Sequence, residues 1–254
     1  VSKMSLEYCR LLLFAAFSSP LSLSNLLNLR RQYLVTHQQE NKFTGDILRP
    51  ASHRLEHDRI IKIVSSLPAI NGEIILLDSL IWQVDAWHNK YVQQLKTSYS
   101  YNSPPASDTP NRLLQVIRAL YNLSRQKDIK ILVFSAWSDT LNILQDILTK
   151  CFGSRMIARF SCEMDGNSLE RAADKFQVDE DCQILLSDEL GGEGRNFQIA
   201  DYIIHVDIPW TPAQLEQRIG RVDRLGRSGK VTSIVPYAKY TIEEDLYDIW
   251  QNAF

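Results

Sequence analysis

Arg218, Arg221, Arg224, Arg227 and Lys230 recur at every third position of the segment QRIGRVDRLGRSGK, residues 217–230. Asp223 is the only acid inside it, and Gly220, Gly226 and Gly229 interrupt it. A guanidinium is planar, forked and permanently charged, which suits phosphate oxygens. Brought to a phosphoryl group in transfer, it neutralises the charge that builds there. The plainer alternative is a solvated basic face. A second segment, LLSDELGGEGRNFQIAD (185–201), runs from apolar residues into Gly191, Gly192 and Gly194. Glycines there let backbone amides approach an anion closely. Ser187, just before them, can donate to a phosphate oxygen.

Such residues need a frame, and the hydropathy pattern supplies one. IKILVFSA (129–136) reads as a buried parallel strand, and RMIARFS (155–161), CQILLS (182–187), YIIHVD (202–207) and VTSIVPY (231–237) read as strands. Helices are expected between them. SDTLNILQDILTK (138–150) has Ser138 as its cap, and SLERAADKFQ covers 168–177. PAQLEQRIGRVDR covers 212–224, and TIEEDLYDIW (241–250) opens with Thr241 and Glu244 spaced as a capping box. A further helix starts at Thr109-Pro110, with Leu113, Leu114, Ile117, Leu120 and Leu123 on its apolar side. Alternating strands and helices imply a parallel sheet covered on both faces, with ligands at the carboxyl ends of the strands. The loops after 135, 187 and 207 then share the functional edge.

Upstream the chain is mainly helical. Residues 5–32 read as two helices with SSP as the turn, and a short helix lies in DRIIKIVSSL. A longer one begins at Asp78, with Leu80, Val84, Trp87, Tyr91 and Leu95 on one side. Trp82 and Trp87 are expected to pack in a core or against another domain rather than to stack on bases. Residues 34–56 and 97–110 read as loops. The run LLLFAAF mimics a signal peptide, but Glu7 sits where positive charge belongs, and the run is too short to span a membrane. A start at Val1 rather than Met reads as a trimmed end.

Bulk composition narrows the class. The 254 residues carry a net charge of -2, which disfavours coating nucleic acid through bulk charge but leaves room for a local phosphate-binding surface. Cys9, Cys151, Cys162 and Cys182 form no CxxC pair, so neither a zinc site nor a disulfide framework is expected. GRSGKVT (226–232) hints at a phosphate loop. Arg224 stands where its first glycine belongs, and Val231 where Ser or Thr belongs. The chain therefore lacks the usual parts for holding Mg-ATP by itself.

The segments ILVFSAWSDTLNILQDIL, LLSDELGGEGRNFQIADYIIHVDIPWTPAQLEQRIGRVDRLGR and TIEEDLYDIW resemble, in order, the second RecA-like lobe of a superfamily-two helicase-type ATPase. They are most similar to SWI/SNF-type translocases, in the bacterial RNA-polymerase-associated branch. The match covers roughly residues 111–250. The resemblance implies an α/β fold, a RecA-like parallel sheet with helices on both faces, for residues 111–254. Residues 1–110 would form a mainly helical connection and insertion region. It further implies that Arg221 and Arg224 are arginine fingers for ATP bound on another lobe, with Gln217, Gly192, Gly194 and Asn196 beside the nucleotide. Ser135 and Ser187 would touch the nucleic-acid backbone. ATP and Mg2+ would be held mainly by the first lobe, which this chain lacks, so the chain alone would be inactive. Implied partners are double-stranded DNA, that first lobe, and RNA polymerase or another protein. Membranes are not among them, and the location would be cytoplasmic, at the bacterial nucleoid. The competing expectation is a non-catalytic helicase-like module for docking nucleic acid or protein.

Overall fold

The computed structural model describes residues 3–38, 54–98, 111–161, 164–188, 197–223 and 229–253. Of the expected loops 34–56 and 97–110, residues 39–53 and 99–110, with the Thr109-Pro110 helix start, lie outside them, as does Cys162, whereas residues 34–38, 54–56 and 97–98 are helical. The chain divides into two compact units, Val1–Gln93 and Gln94–Phe254.

The first unit is helical, with α1 (Lys3–Ser18), α2 (Pro20–Gln38), α3 (Arg54–Ser66) and α4 (Glu73–Ser98). Its pin is Arg30 of α2, which is buried. Arg30 Nε and Nη2 donate to the two carboxylate oxygens of Glu73 at 2.7 and 3.0 Å. Nη1 donates to the carbonyls of Val64 and Leu67, and Nη2 also to that of Pro68. The fork thus caps the carbonyl end of α3 and ties it to the first turn of α4. Buried charge is tolerated there because every donor has an acceptor. Arg30→Lys keeps the charge but loses the fork. It should cost about 2 kcal/mol, since buried carbonyls are left unsatisfied. Amide exchange in α3 and α4 measures this, and unchanged protection would contradict it.

The expected stripe of α4 holds in part, with Tyr91 and Leu95 buried. Leu77, with Ile74, Ile81 and Val84, packs on Leu27 and Leu34 of α2, whereas Leu80 and Trp87 are exposed. EIILLDSLIW is apolar around much of its circumference, so spacing alone does not choose the face. Trp82 is 73% exposed and Trp87 meets Tyr91 edge-on. Core packing is therefore not the role of Trp82.

The second unit is built on a five-stranded sheet. Its strands are β1 (Ile131–Phe134), β2 (Ile157–Phe160), β3 (Ile184–Ser187), β4 (Tyr202–His205) and β5 (Thr232–Ile234). All pairings are parallel and the order is β2-β3-β1-β4-β5. The intervening helices are α5 (Arg112–Leu123), α6 (Ser138–Phe152), α7 (Gly166–Val178), α8 (Pro212–Ile219) and α9 (Ile242–Ala253). A short 3-10 turn, Ser154–Met156, precedes β2. Side chains alternate across the sheet. Leu132, Phe134, Ala158, Phe160, Leu185 and Ile203 join Ala172, Ala173 and Phe176 of α7 in one core. Ile131, Val133, Ile184, Leu186 and Ile204, on the other face, are buried too. Burial on both faces is what a parallel sheet requires, and this is the RecA-like α/β fold.

Three helix starts differ from expectation. Helix α5 is capped by Asn111, whose Oδ1 accepts from the amides of Leu113 and Leu114, not by Thr109 with Pro110 as first helical residue. Ser138 lies inside α6, and the N-cap is Trp137, which makes no side-chain cap bond. The box at α9 is offset. Thr241 Oγ accepts from Glu243 N, while Glu244 Oε2 accepts from Tyr240 N.

Candidate functional site at the strand ends

The first strand in sequence lies in the middle of the sheet. From β1 the chain leaves toward β2 on one side, and from β4 toward β5 on the other. The order therefore reverses between β1 and β4, and a crevice opens at their carboxyl ends. Ser135–Trp137 lines one side of it and Val206–Thr211 the other.

Asp207 fills the base of that crevice. It is fully buried. Its Oδ2 accepts from Ser135 Oγ at 2.6 Å. Its two carboxylate oxygens lie 3.1 and 3.2 Å from the amide of Ala136. Arg218, 1% exposed on α8, completes the node. Its Nη2 donates to Asp207 Oδ1 and its Nη1 to the Asp207 carbonyl, both at 2.8 Å. The guanidinium also lies 5.8 Å from the centre of the Phe134 ring. Helix α8 is fixed at its start by Thr211, whose Oγ accepts from Gln214 N, and by Pro212 in the first turn.

The arginine run does not form one face. Arg218 is turned inward onto Asp207. Arg221 sits just past the helix end, nine-tenths buried. Phe134, Gln214, Gln217, Arg218 and Arg221 line one small recess. The Arg221 carbonyl accepts from Phe197 N at 2.9 Å, and Val222 joins the sheet core. Lys230 is exposed. Arg224 and Arg227 lie outside the described residues, as do Gly191, Gly192, Gly194 and Asn196. Of the expected nucleotide-side residues, the structure thus brings Arg221 and Gln217 together.

Ser135 and Ser187 are both fully buried. Ser135 Oγ faces Asp207, and Ser187 Oγ donates to the carbonyl of Asp188 at 3.0 Å. At the neighbouring pair of strand ends, Ser161 Oγ donates to Asp188 Oδ2 at 2.9 Å. The serines thus turn their hydroxyls inward.

His205, the last residue of β4, is fully buried against Phe134 and Arg218. Burial, aided by the Arg218 charge, holds its pKa well below the ordinary histidine value. The ring is therefore neutral, and Nδ1 lies 3.4 Å from Arg218 Nη1, a donor. The proton then sits on Nε2, which has no partner among the described residues. The sign of the pH dependence follows. Below about pH 6.5 the unfolded chain takes up a proton that the folded chain refuses. Stability should fall by about 1.4 kcal/mol per pH unit from that point, and His205→Gln should flatten the slope. Chemical unfolding at pH 7.5, 6.5 and 5.5 reads it, and an equally steep slope in the variant would be the contrary result.

Asp207, Arg218 and His205 were not among the expected site residues. The signal was present: YIIHVD places a carboxylate at the end of an apolar strand, where a buried acid needs a cation or several donors. Trp210 is half-buried, and its amide donates to Gln214 Oε1.

Residues 111–226 match the model of the helicase conserved C-terminal domain. The RNA polymerase-associated protein RapA of Pectobacterium carotovorum is 37% identical over 128 residues, 49% of this chain and 13% of that protein. RapA of Yersinia enterocolitica is 38% identical over 128 residues, again 49% and 13%. The alignment thus spans about an eighth of these relatives' length. The crystal structure of the C-terminal part of the Fun30 ATPase domain aligns over 88% of this chain and 63% of that one, at 19% identity and a TM-score of 0.48. No helix among the described residues is long and apolar enough to cross a membrane. Residues 111–226 thus carry the pattern of a helicase conserved C-terminal domain, and about half of the chain is similar to RapA.

Proposed function

We propose that this lobe completes an ATP site in the full-length protein and drives movement along double-stranded DNA. The observation that carries the reading is the placement of Arg221. It lies beside Gln217 in a recess near the strand-order reversal, on a turn held by the core. A forked cation beside a polar amide supplies donors that phosphate oxygens accept. ATP, held with Mg2+ mainly by a first lobe bearing the phosphate loop, supplies the phosphoryl group. Arg221 and Arg224 meet its terminal oxygens when the lobes close, and stabilise charge as it redistributes there. Gln217 orients beside them. Gly192, Gly194 and Asn196 lie on the loop that links nucleotide to nucleic acid. Residues 1–110 act as the helical connection and insertion, and residues 111–254 as the lobe.

The loops opened by Ser135 and Ser187 meet the phosphate backbone. The serines shape these loops from inside, and backbone amides make the contact. RNA polymerase is the proposed protein partner, by likeness to RapA, and the protein works in the cytoplasm at the nucleoid.

Two measurements test this reading. Purified residues 1–254 should show no appreciable magnesium-dependent ATP turnover, because half the site lies elsewhere. Robust turnover would refute the division of labour. Labelled duplex should bind weakly and without sequence preference, more weakly as salt rises. The slope of log affinity against log salt should be about -0.9 for each phosphate neutralised. Tight, sequence-specific, salt-insensitive binding would favour a docking module instead.

A further inference from the structure

We propose that Asp207 and Arg218 are positioning residues for Arg221, an inference that rests on the finger reading just given. A buried ion pair is weak evidence for stability, because apolar residues of similar volume often serve as well. What distinguishes this pair is what it connects. Asp207 follows β4, it holds the end of β1 through Ser135 Oγ and Ala136 N, and it holds α8 through Arg218. The two strands are those between which the sheet order reverses.

The link from Arg218 to Arg221 has little slack. The Gly220 amide donates to the Glu216 carbonyl at 2.8 Å, and the Arg221 amide lies 3.4 Å from the Arg218 carbonyl. A Cβ at Gly220 would sit 3.0 Å from the Glu216 carbonyl oxygen, so the chain passes close to the helix there. Beyond Arg221, Val222 is buried in the sheet core, and Phe197 N holds the Arg221 carbonyl. Arg221 is thus clamped on one side by the core and on the other by Arg218, whose own place is set by Asp207.

Asp207 has a second effect. Arg218 and Arg221 line the same recess. Paired with Asp207, Arg218 is neutralised there. Without the carboxylate, Arg218 becomes an unpaired cation beside the finger, free to compete for the same anion and to displace the turn. A reacting group misplaced by about 1 Å can lose on the order of 10²-fold in rate.

The test has two readouts. In this chain, the Nε–Hε NMR signal of Arg221 should be sharp, and should shift and broaden in Asp207→Asn while the β1 and β3 amides stay protected. An unmoved Arg221 signal overturns the proposal. Should Asp207→Asn unfold the chain, Ser135→Ala removes one hydrogen bond from the carboxylate but leaves the pair, and the same signal decides. In the full-length protein, Asp207→Asn should lower kcat by about 10²-fold with KM for ATP within about twofold. Added to Arg221→Ala it should lower kcat no further. A loss that multiplies with that of Arg221→Ala, or one confined to KM, overturns the proposal. If Arg221→Ala alone turns over like the parent, the finger reading fails, and the NMR signal still decides whether Asp207 positions Arg221.

Discussion

Arg221→Ala and Arg224→Ala, each made in the full-length protein, are expected to lower DNA-stimulated ATP turnover by about 10³- to 10⁵-fold. Nucleotide affinity should change far less. An arginine that meets the terminal phosphate on lobe closure acts mainly in the transition state, so its loss falls on kcat rather than on ground-state binding. Arg221→Lys should rescue poorly, because an ammonium lacks the planar fork. Arg227→Ala and Lys230→Ala should be milder. Lys230 lies on the exposed side, and both follow Gly226 in the sequence. Turnover and nucleotide binding measured for all four alanine variants separate these cases. Parental hydrolysis by Arg221→Ala and Arg224→Ala, with loss in Arg227→Ala, would move the fingers to a different residue.

The largest stability effect is expected at the buried pair. Arg218→Met or Asp207→Leu alone should destabilise the second unit by about 3–5 kcal/mol, because each leaves an uncompensated charge with 1% or less of its side chain exposed. The double variant should cost less than the sum of the two by more than about 1 kcal/mol, the sign of direct coupling. Amide exchange of β1 and β4 under chemical denaturation provides the measure. Strict additivity would mean that the two side chains do not depend on each other.

How far the sequence carried can be judged element by element. The inner strands were legible because parallel strands are buried on both faces and read as short apolar runs: ILVF is wholly apolar and ILLS is polar only at its last residue. The edge strand β5, TSI, is mostly exposed and was legible from its β-branched residues instead. The order of the strands was not legible, since hydropathy says nothing about which strand lies beside which. The arginine spacing did not say which arginine turns inward. Steps of three on a helix of 3.6 residues per turn drift by about 60° each, so the run cannot hold one face. Arg218 turns inward and Arg221 follows the helix end. Caps slipped by one or two residues at α5 and α6, where Thr, Asn, Ser and Trp offer adjacent starting points and tertiary packing chooses among them. The face of α4 was legible only in part, at Val84, Tyr91 and Leu95, because a helix apolar nearly all round carries little directional signal.

The contacts of Asp207 with Ser135 and Ala136 join residues 72 and 71 positions apart. Closing so long a chain segment costs entropy before any contact repays it. The β1–β4 junction is therefore expected to form late in folding, after the local helix–strand units, and mutant folding and unfolding rates at Ser135 and Asp207 would test it. Interactions absent from the folding transition state govern the unfolding rate rather than the folding rate. Loosening the Asp207 node should leave refolding speed almost untouched and shorten the lifetime of the folded lobe. The buried carboxylate thus acts as a timer on how long the second unit, once folded, stays folded.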